Sequence, residues 1–521
     1  MTNTPNRLTI FCANVADTER FAESLALSLQ AGDFVALLGP VGAGKSTLAR
    51  ALIRTALGNR EAEVPSPTFT LVQTYEDAQP VALLHADFYR LSAPEDAEEL
   101  GLEEALNTGA VLAEWPQHVP DLLARATFSI TLIDGQAEDE TRRIEIEAPA
   151  DALNRLMRSL AIRQFLDGVD YGSHARIPLT GDASSRAYET IVPDFDQDLQ
   201  DRPRRILMNA PAQADGPPLR DGKPYSKLAH LAEDIRPFIA ISGLLESRGF
   251  RVPQCLAADL DAGLLLTSHL GAGTILNADG SPIFERYSAA VDVLAALSRQ
   301  DWPGATPVQI AGQILAEDHV IPTYDAAALG IEVELFCDWY VGQARGETLA
   351  AADKETFVAL WAALFERLER VPKTLSLRDF HSPNLLWAGE NTNDKTVENT
   401  GLQRVGLIDF QDAVLGPLPY DLASLAQDAR VTISEPMEQA LVERFLEQAN
   451  VEDTAAFHEA YAIMAAQRAT KILGIFVRLS KRDGKDQYLA HLPRIEAYLA
   501  RTLRHPILSD LRGWLRSMGM F

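Results

Sequence analysis

Between residues 7 and 147 short β-branched or apolar runs alternate with stretches of helical periodicity. RLTIF, FVALLG, FTLVQTY, VALLHAD, GAVLAEW, FSITLI and RRIEIE have the length and composition of strands. ADTERFAESLALSLQ and STLARALIRTALG repeat their apolar residues at helical spacing, and the second stops at Gly58-Asn59. Strands interleaved with helices predict an open α/β sheet. The last two strands follow one another without a helix, so that edge is expected to be antiparallel.

The texture changes near residue 150, where a short Ala/Pro stretch leads into the helical run ADALNRLMRSLAIRQFLDG. We place a domain boundary there, giving domains at 1–150 and 151–521. Residues 175 to 210 read as a β-hairpin interrupted by the acidic loop PDFDQDLQDRPRR. The remainder is largely helical, with short strands expected around LLLTSH, NLLW and VGLIDF, and AGENTNDKTVENTGLQ reads as a loop or long hairpin turn. Strands first and helices later predict a two-lobed α+β unit with nucleotide held between lobes.

Length agrees: 521 residues at about 150 per domain allow two to four domains. No apolar run approaches the roughly 18 residues of a membrane span, so no membrane association is expected. The first twenty residues lack the basic start and apolar run of a signal peptide. Cys12, Cys255 and Cys337 lie far apart, which suits a reduced, cytoplasmic compartment. Net charge is −26, and such an excess of carboxylates disfavours direct electrostatic binding of nucleic acid. A role in nucleic-acid metabolism would then run through protein partners.

The strand FVALLG runs into Gly39-Pro40-Val41-Gly42-Ala43-Gly44-Lys45-Ser46-Thr47, which opens a helix. This is G-x4-G-K-[ST] in the strand–loop–helix context that gives it meaning. Glycines at 39, 42 and 44 let main-chain N–H groups from Gly39 through Ala43 to Thr47 converge on phosphate, and the helix start adds partial positive charge. Lys45 would reach the β- and γ-phosphates of ATP, and Ser46 would ligate Mg²⁺. Three further segments stand where loops of such a sheet gather: Ser66-Pro67-Thr68-Phe69, His85-Ala86-Asp87-Phe88-Tyr89-Arg90 and Glu114-Trp115-Pro116. Asp87 and Glu114 supply carboxylates for Mg²⁺ and for orienting water, and Thr68 is placed to sense the γ-phosphate. Each also has a plainer reading: Asp87 as a helix cap, Trp115 as core, Ser-Pro-Thr as a turn.

In order and spacing, GPVGAGKST, SPTFTLVQTY, HADFYRL, ELGLEEAL and AEWP resemble the TsaE family over roughly residues 8 to 147. The resemblance implies a small ATPase of the machinery that makes threonylcarbamoyladenosine in tRNA, docking on other proteins of that complex rather than gripping tRNA. By motif it assigns ATPase roles to Lys45, Ser46, Asp87 and Glu114, and a switch-like loop to Thr68.

A second constellation stands late in the chain. Leu377-Arg378-Asp379-Phe380-His381-Ser382-Pro383-Asn384 leads into NLLW, and Val405-Gly406-Leu407-Ile408-Asp409-Phe410-Gln411-Asp412 follows. Phosphoryl transfer needs positioning and charge neutralisation. Asp379 can accept the proton of an attacking hydroxyl, while Asn384 and Asp409 can hold Mg²⁺ against ATP. His381 reads as structural and Asp421 as a brace or a helix cap. Upstream, the turn containing Gly181, Asp182 and Ser184 is the candidate cover for nucleotide.

These pieces resemble the aminoglycoside-phosphotransferase superfamily over roughly residues 155 to 510. GDASSRAY, IEVELFCDWY, LRDFHSPNLLW, IDFQDAVLGPLPYDLASL and the long helical stretches are similar to the AmgK-type anomeric kinases of cell-wall recycling. That resemblance implies phosphorylation of N-acetylmuramate and N-acetylglucosamine at the anomeric hydroxyl. One departure is plain: a kinase of this type carries a lysine on its third strand, where this chain has Met208. Glu334, Asp338 and Trp339 are candidate sugar contacts, with carboxylates beside an aromatic face; a helix-packing Trp among solvated acids is the alternative. Lys471 and Arg478 are candidates for the muramate carboxylate or simply solvent-facing cations.

The expectation is thus an α/β P-loop NTPase domain followed by a bilobal α+β, protein-kinase-like domain, both using ATP and Mg²⁺. Two alternatives remain at this stage. The first half could be an ATP-dependent docking switch with slow turnover. The second could phosphorylate another small alcohol, such as an aminoglycoside or a choline-like substrate, or be a pseudokinase.

Overall fold

A computed structural model describes residues 6–91, 94–134, 141–179, 186–193, 204–346, 348–388 and 401–521. The chain divides into two compact units: Met1–Thr180 with Tyr188–Leu207, and Gly181–Ala187 with Met208–Phe521.

In the first unit the expected alternation is present: β1 (Asn6–Cys12), α1 (Val15–Ala26), β2 (Phe34–Leu38), α2 (Lys45–Ala56), β3 (Val72–Tyr75), β4 (Ala82–Asp87), α3 (Leu102–Thr108), β5 (Gly109–Glu114), α4 (Pro120–Leu123), β6 (Phe128–Asp134) and β7 (Arg142–Ala148). Seven strands form one sheet in the order β1-β7-β6-β2-β5-β4-β3. The inner pairs β2–β5, β2–β6 and β4–β5 are parallel, and β6–β7 is the expected antiparallel pair, which β1 extends. Strand periodicity explains the two-sided core. Val35 and Leu37 join Ala110 and Leu112 in a cluster with the helix residues Leu25, Leu48 and Leu52. Their neighbours Phe34, Ala36, Val111 and Ala113 face the other way, into a cluster with Phe88 and Leu102. The FTLVQTY run forms a strand only from Val72. Residues 67–70 are a turn, and Leu71 at φ 66° marks where extended pairing begins.

Helix α5 (Ala150–Gly168) starts at the boundary read from the sequence and packs within the first unit. Its Leu153 and Leu156 enter the core beside α1, Arg155 forks onto Asp33, and buried Arg163 pairs with Glu23. The hairpin β8 (Ala175–Leu179) and β9 (Ala187–Val192) follows, registered Leu179↔Tyr188. Residues 205–209 form a further strand, within which the division between units falls, so the expected hairpin is a three-strand stretch. The candidate covering turn with Gly181, Asp182 and Ser184 lies outside the described residues, as does most of the acidic loop.

In the second unit, strands Cys255–Asp259 and Leu264–Ser268 pair antiparallel. So do Leu385–Trp387 with Val405–Leu407, as the NLLW and VGLIDF runs predict, and Lys373–Ser376 with Val414–Pro417. The helical part packs around Thr454–Asp483, a 30-residue helix whose apolar face meets Phe336, Phe357, Trp361 and Leu499. Gly474 is required there. A Cβ at that position would come 2.4 Å from the Leu335 carbonyl carbon, so only glycine admits helix Ala326–Leu335 at this distance. Among the described residues no helix is long and apolar enough to cross a membrane.

Candidate active sites

The first candidate site sits at the carboxyl ends of the parallel strands, where β2 turns into α2. Gly39, Gly42 and Gly44 have φ of 135°, 85° and 99°, a region side chains disfavour. A Cβ on Gly39 would meet the Leu132 carbonyl oxygen at 2.6 Å. The loop therefore closes as a bare main-chain cradle at the start of α2, where the first helical N–H groups have no intrahelical acceptors. Lys45 is buried and curls back, its Nζ donating to the carbonyls of Gly39 (3.0 Å) and Pro40 (2.9 Å), 3.8 Å from the centre of the Trp115 ring. Trp115, which the sequence also allowed as core, thus faces the cradle.

Parallel pairing sets Leu37 beside Glu114 and Glu114 beside Asp87, so both carboxylates emerge next to the loop. Ser46 Oγ donates to Glu114 Oε2 at 2.8 Å, and buried His85 lies 3.2 Å from the other Glu114 oxygen. Thr68 Oγ1 donates to Asp87 Oδ2 at 2.6 Å, while Asp87 Oδ1 accepts the Tyr89 N–H. The sequence motifs named Ser46, Thr68, Asp87 and Glu114; the structure sorts them into two pairs. His85 lay in a quoted motif without a role, and only strand pairing reveals its contact. An anion cradle, a cationic Nζ, a hydroxyl and two carboxylates are the donor set that a magnesium–nucleotide complex needs, since Mg²⁺ keeps several waters and asks for few protein ligands. The residues fit the cofactor.

The second candidate site is built on two turns held in uncommon conformations. Arg378 and Asp409 have φ of 70° and 60°, left-handed values for residues with side chains. Asp421 explains the first: both of its oxygens accept from the loop's main chain, from Leu377 N–H at 2.6 Å and from Arg378 N–H at 2.9 Å. Asp421 therefore braces the loop, as one of its two sequence readings had it, and burial pushes its carboxyl up to about 7. Asp428 does the same for the Ser382 N–H. The Arg378 guanidinium is buried and bonds the Ala229 carbonyl and Glu332.

Asp379 is thereby left half-exposed, with His381 3.9 Å away. The protein packed around its other half disfavours ionisation, but His381, Lys471, Arg468 and Arg378 nearby outweigh this and hold Asp379 below the usual carboxylate range. Asn384 Nδ2 donates to the Asp379 carbonyl at 2.9 Å and lies 3.4 Å from Asp409 Oδ2. Burial and the nearby Asp379 charge raise Asp409, which is met by Gln411 at 2.8 Å and by Arg186 at 3.3 Å. Two carboxylates and the Asn384 side chain, gathered by two adjacent turns, form an electronegative cluster that suits Mg²⁺ with bound phosphates. Here too the residues fit.

Other candidates lie differently. Glu334 is buried and paired with Arg220 and Lys354. Exposed Asp338 also meets Lys354, and Trp339 packs partly buried on the helical core. Lys471 Nζ sits 2.8 Å from Glu332, and Arg478 lies over the Tyr225 ring. Sequence reasoning missed Glu332, which is fully buried and gathers Arg378, Lys471, Tyr324 and Gln467.

Comparison with known proteins decides the family. Residues 12–144 match the model of the threonylcarbamoyl adenosine biosynthesis protein TsaE, and residues 177–462, more than half the chain, match that of the phosphotransferase enzyme family. The chain belongs to both families. It is 34% identical over 369 residues to an N-acetylmuramate/N-acetylglucosamine kinase of Caulobacter vibrioides, covering 68% of this chain and 95% of that one. The kinase of the same name from Pseudomonas putida is 35% identical over 289 residues, 54% of this chain and 76% of its own. The TsaE protein of Rickettsia felis is 38% identical over 131 residues, 25% of this chain and 74% of its own. The TsaE match contains the whole first site, and the phosphotransferase match contains Asp379, Asn384 and Asp409.

Proposed function

We propose that this chain is a bifunctional enzyme. Its kinase module, residues 151–521, transfers the γ-phosphoryl group of ATP to the anomeric hydroxyl of N-acetylmuramate or N-acetylglucosamine. Its ATPase module, residues 1–150, supports formation of threonylcarbamoyladenosine in tRNA through other proteins. The kinase reading rests on the convergence of an ionised Asp379 with Asn384 and Asp409 in a chain that spans 95% of a kinase of that name.

Asp379 takes the proton of the sugar hydroxyl as its oxygen bonds to phosphorus and the bond to ADP breaks. Asn384 and Asp409 would hold Mg²⁺, which neutralises phosphate charge when bound. In the ATPase module Lys45 and the main-chain cradle would bind the phosphates, Ser46 and Glu114 the metal, and Asp87 with Thr68 would orient water. Protein partners rather than tRNA are supported by the −26 net charge and by exposed Val41, Phe69 and Tyr89 on the loops that carry the site.

The test is incubation with ATP and each amino sugar, followed by phosphorus NMR. An anomeric phosphate should form, survive Lys45→Ala and vanish with Asp379→Ala. Turnover of an aminoglycoside or choline instead would keep the kinase and remove the sugar; no transfer to any alcohol would leave a pseudokinase.

A further inference from the structure

Beside the P-loop, along α2, the first unit contains a cavity of about 470 Å³. It is walled by α1, by the side of α2, and by the end of α5 with the turn that follows. Arg20, Arg50, Arg54, Arg60 and Arg163 line it with His174, against three carboxylates. Of those three, Glu23 is neutralised by Arg163, and Asp17 accepts the Ala13 N–H at the start of α1. This concentration of arginine runs against a chain whose net charge is −26.

Several of these groups are incompletely satisfied. Among the described residues Arg50 makes no hydrogen bond or ion pair, although it is partly buried. Arg163 is only 6% exposed; its two terminal nitrogens meet Gly172, Glu23 and His174, but its buried Nε has no partner. His174 Nδ1 is buried and also without a partner. Burial lowers the His174 pKa, and the charges of Arg163 and Arg205 lower it further, which marks the wall as electropositive. A buried guanidinium N–H left over in a positive cavity is what an anion would satisfy.

We infer that this cavity is a second anion site, distinct from the P-loop cradle, that takes a small molecule bearing a phosphate group. The volume falls within the range of about 300–1000 Å³ typical of small-molecule sites, the size of a sugar phosphate or mononucleotide. Two placements give the site meaning. Thr47, which follows Ser46, lines the cavity, and Arg50 and Arg54 continue along the same face of α2. An occupant would therefore bear on the helix whose first turn forms the phosphate cradle. In addition, Arg163, Gly172 and His174 fall between the two family matches, which end at 144 and resume at 177. These residues therefore lie outside both family models, on the segment that packs within the first unit.

The test is calorimetric titration of the full chain, its nucleotide sites saturated with ADP and Mg²⁺, with inorganic phosphate, AMP and glucose 6-phosphate. At least one should bind at one per chain, identifying the source of the phosphate. Arg50→Glu and Arg54→Gln should each weaken that binding about ten-fold or more, the loss of one charge-assisted contact. Neither should change ADP stoichiometry, which shows that both variants fold. The inference is overturned if none of the three probes binds, or if binding survives either substitution unchanged.

Discussion

The Ser46 hydroxyl donates to the Glu114 carboxylate at 2.8 Å across 68 residues of chain. The contact exists because β2 and β5 are parallel neighbours, so the loop after one strand and the last residue of the other share an edge. Glu114→Gln should preserve the fold, since an amide still accepts the Ser46 hydrogen, but remove the charge that would face the metal. ATP hydrolysis by the first module is expected to fall about a hundred-fold, equivalent to about 3 kcal/mol in the barrier. Sugar phosphorylation by the same preparation should be unchanged. Parallel loss of both would show one shared site.

Glu332 offers a different kind of prediction. It is fully buried, and its ionised form is kept, against burial, by Lys471 and Arg378. Glu332→Gln leaves two cations facing one neutral amide in a water-poor site. The cost is expected at about 3–5 kcal/mol, read as a lower unfolding midpoint of the kinase module. Since Arg378 immediately precedes Asp379, kcat should drop more than KM for ATP rises. A stable variant with unaltered kcat would show that the cluster does not position the catalytic loop.

These two cases show what was legible in the sequence. The P-loop, the D-x4-N run and the IDFQD segment are each local, their candidate atoms fixed by a few consecutive residues, and so each could be read from the sequence. The antiparallel edge and the hairpin of Leu385–Trp387 with Val405–Leu407 followed from apolar runs that succeed one another with no helical periodicity between them. Glu332 was not legible. It sits in an apolar-looking helix, and its meaning comes from Arg378 and Lys471, which the fold brings from distant segments. The arginine cavity was hidden for the same reason: composition reports an acidic chain, and only packing of α1, α2 and α5 gathers the cations. The strand in FTLVQTY was overread because alternation cannot register a left-handed Leu71.

Met208 stands where the sequence led us to expect a phosphate-binding lysine, and it is buried. A cation that meets Asp409 is Arg186, 3.3 Å away. Arg186→Gln should raise the KM for ATP in sugar phosphorylation about ten-fold, with a smaller change in kcat and none in the KM for sugar. Arg186→Lys should restore part of the loss. Equal effects on both substrates would mean that Arg186 only supports the loop.

Asp421 gives the kinase module a pH dependence whose sign can be worked out. Its carboxyl lies at about 7 in the fold, against an ordinary 3.8, because burial disfavours the charge more than two main-chain N–H donors favour it. A group raised on folding lends its full stability below the unfolded value and loses it as pH climbs through the folded one. The contribution of Asp421 is therefore complete below about pH 4, declines between about 4 and 7, and is gone above that, by at most about 4 kcal/mol. Unfolding of the wild-type chain in urea should show this decline in the kinase module. Asp421→Asn, which cannot ionise but keeps one acceptor for the loop, should flatten it, at the cost of one buried hydrogen bond at low pH. A slope that persists in the variant would place the titration elsewhere and leave Asp421 ionised throughout.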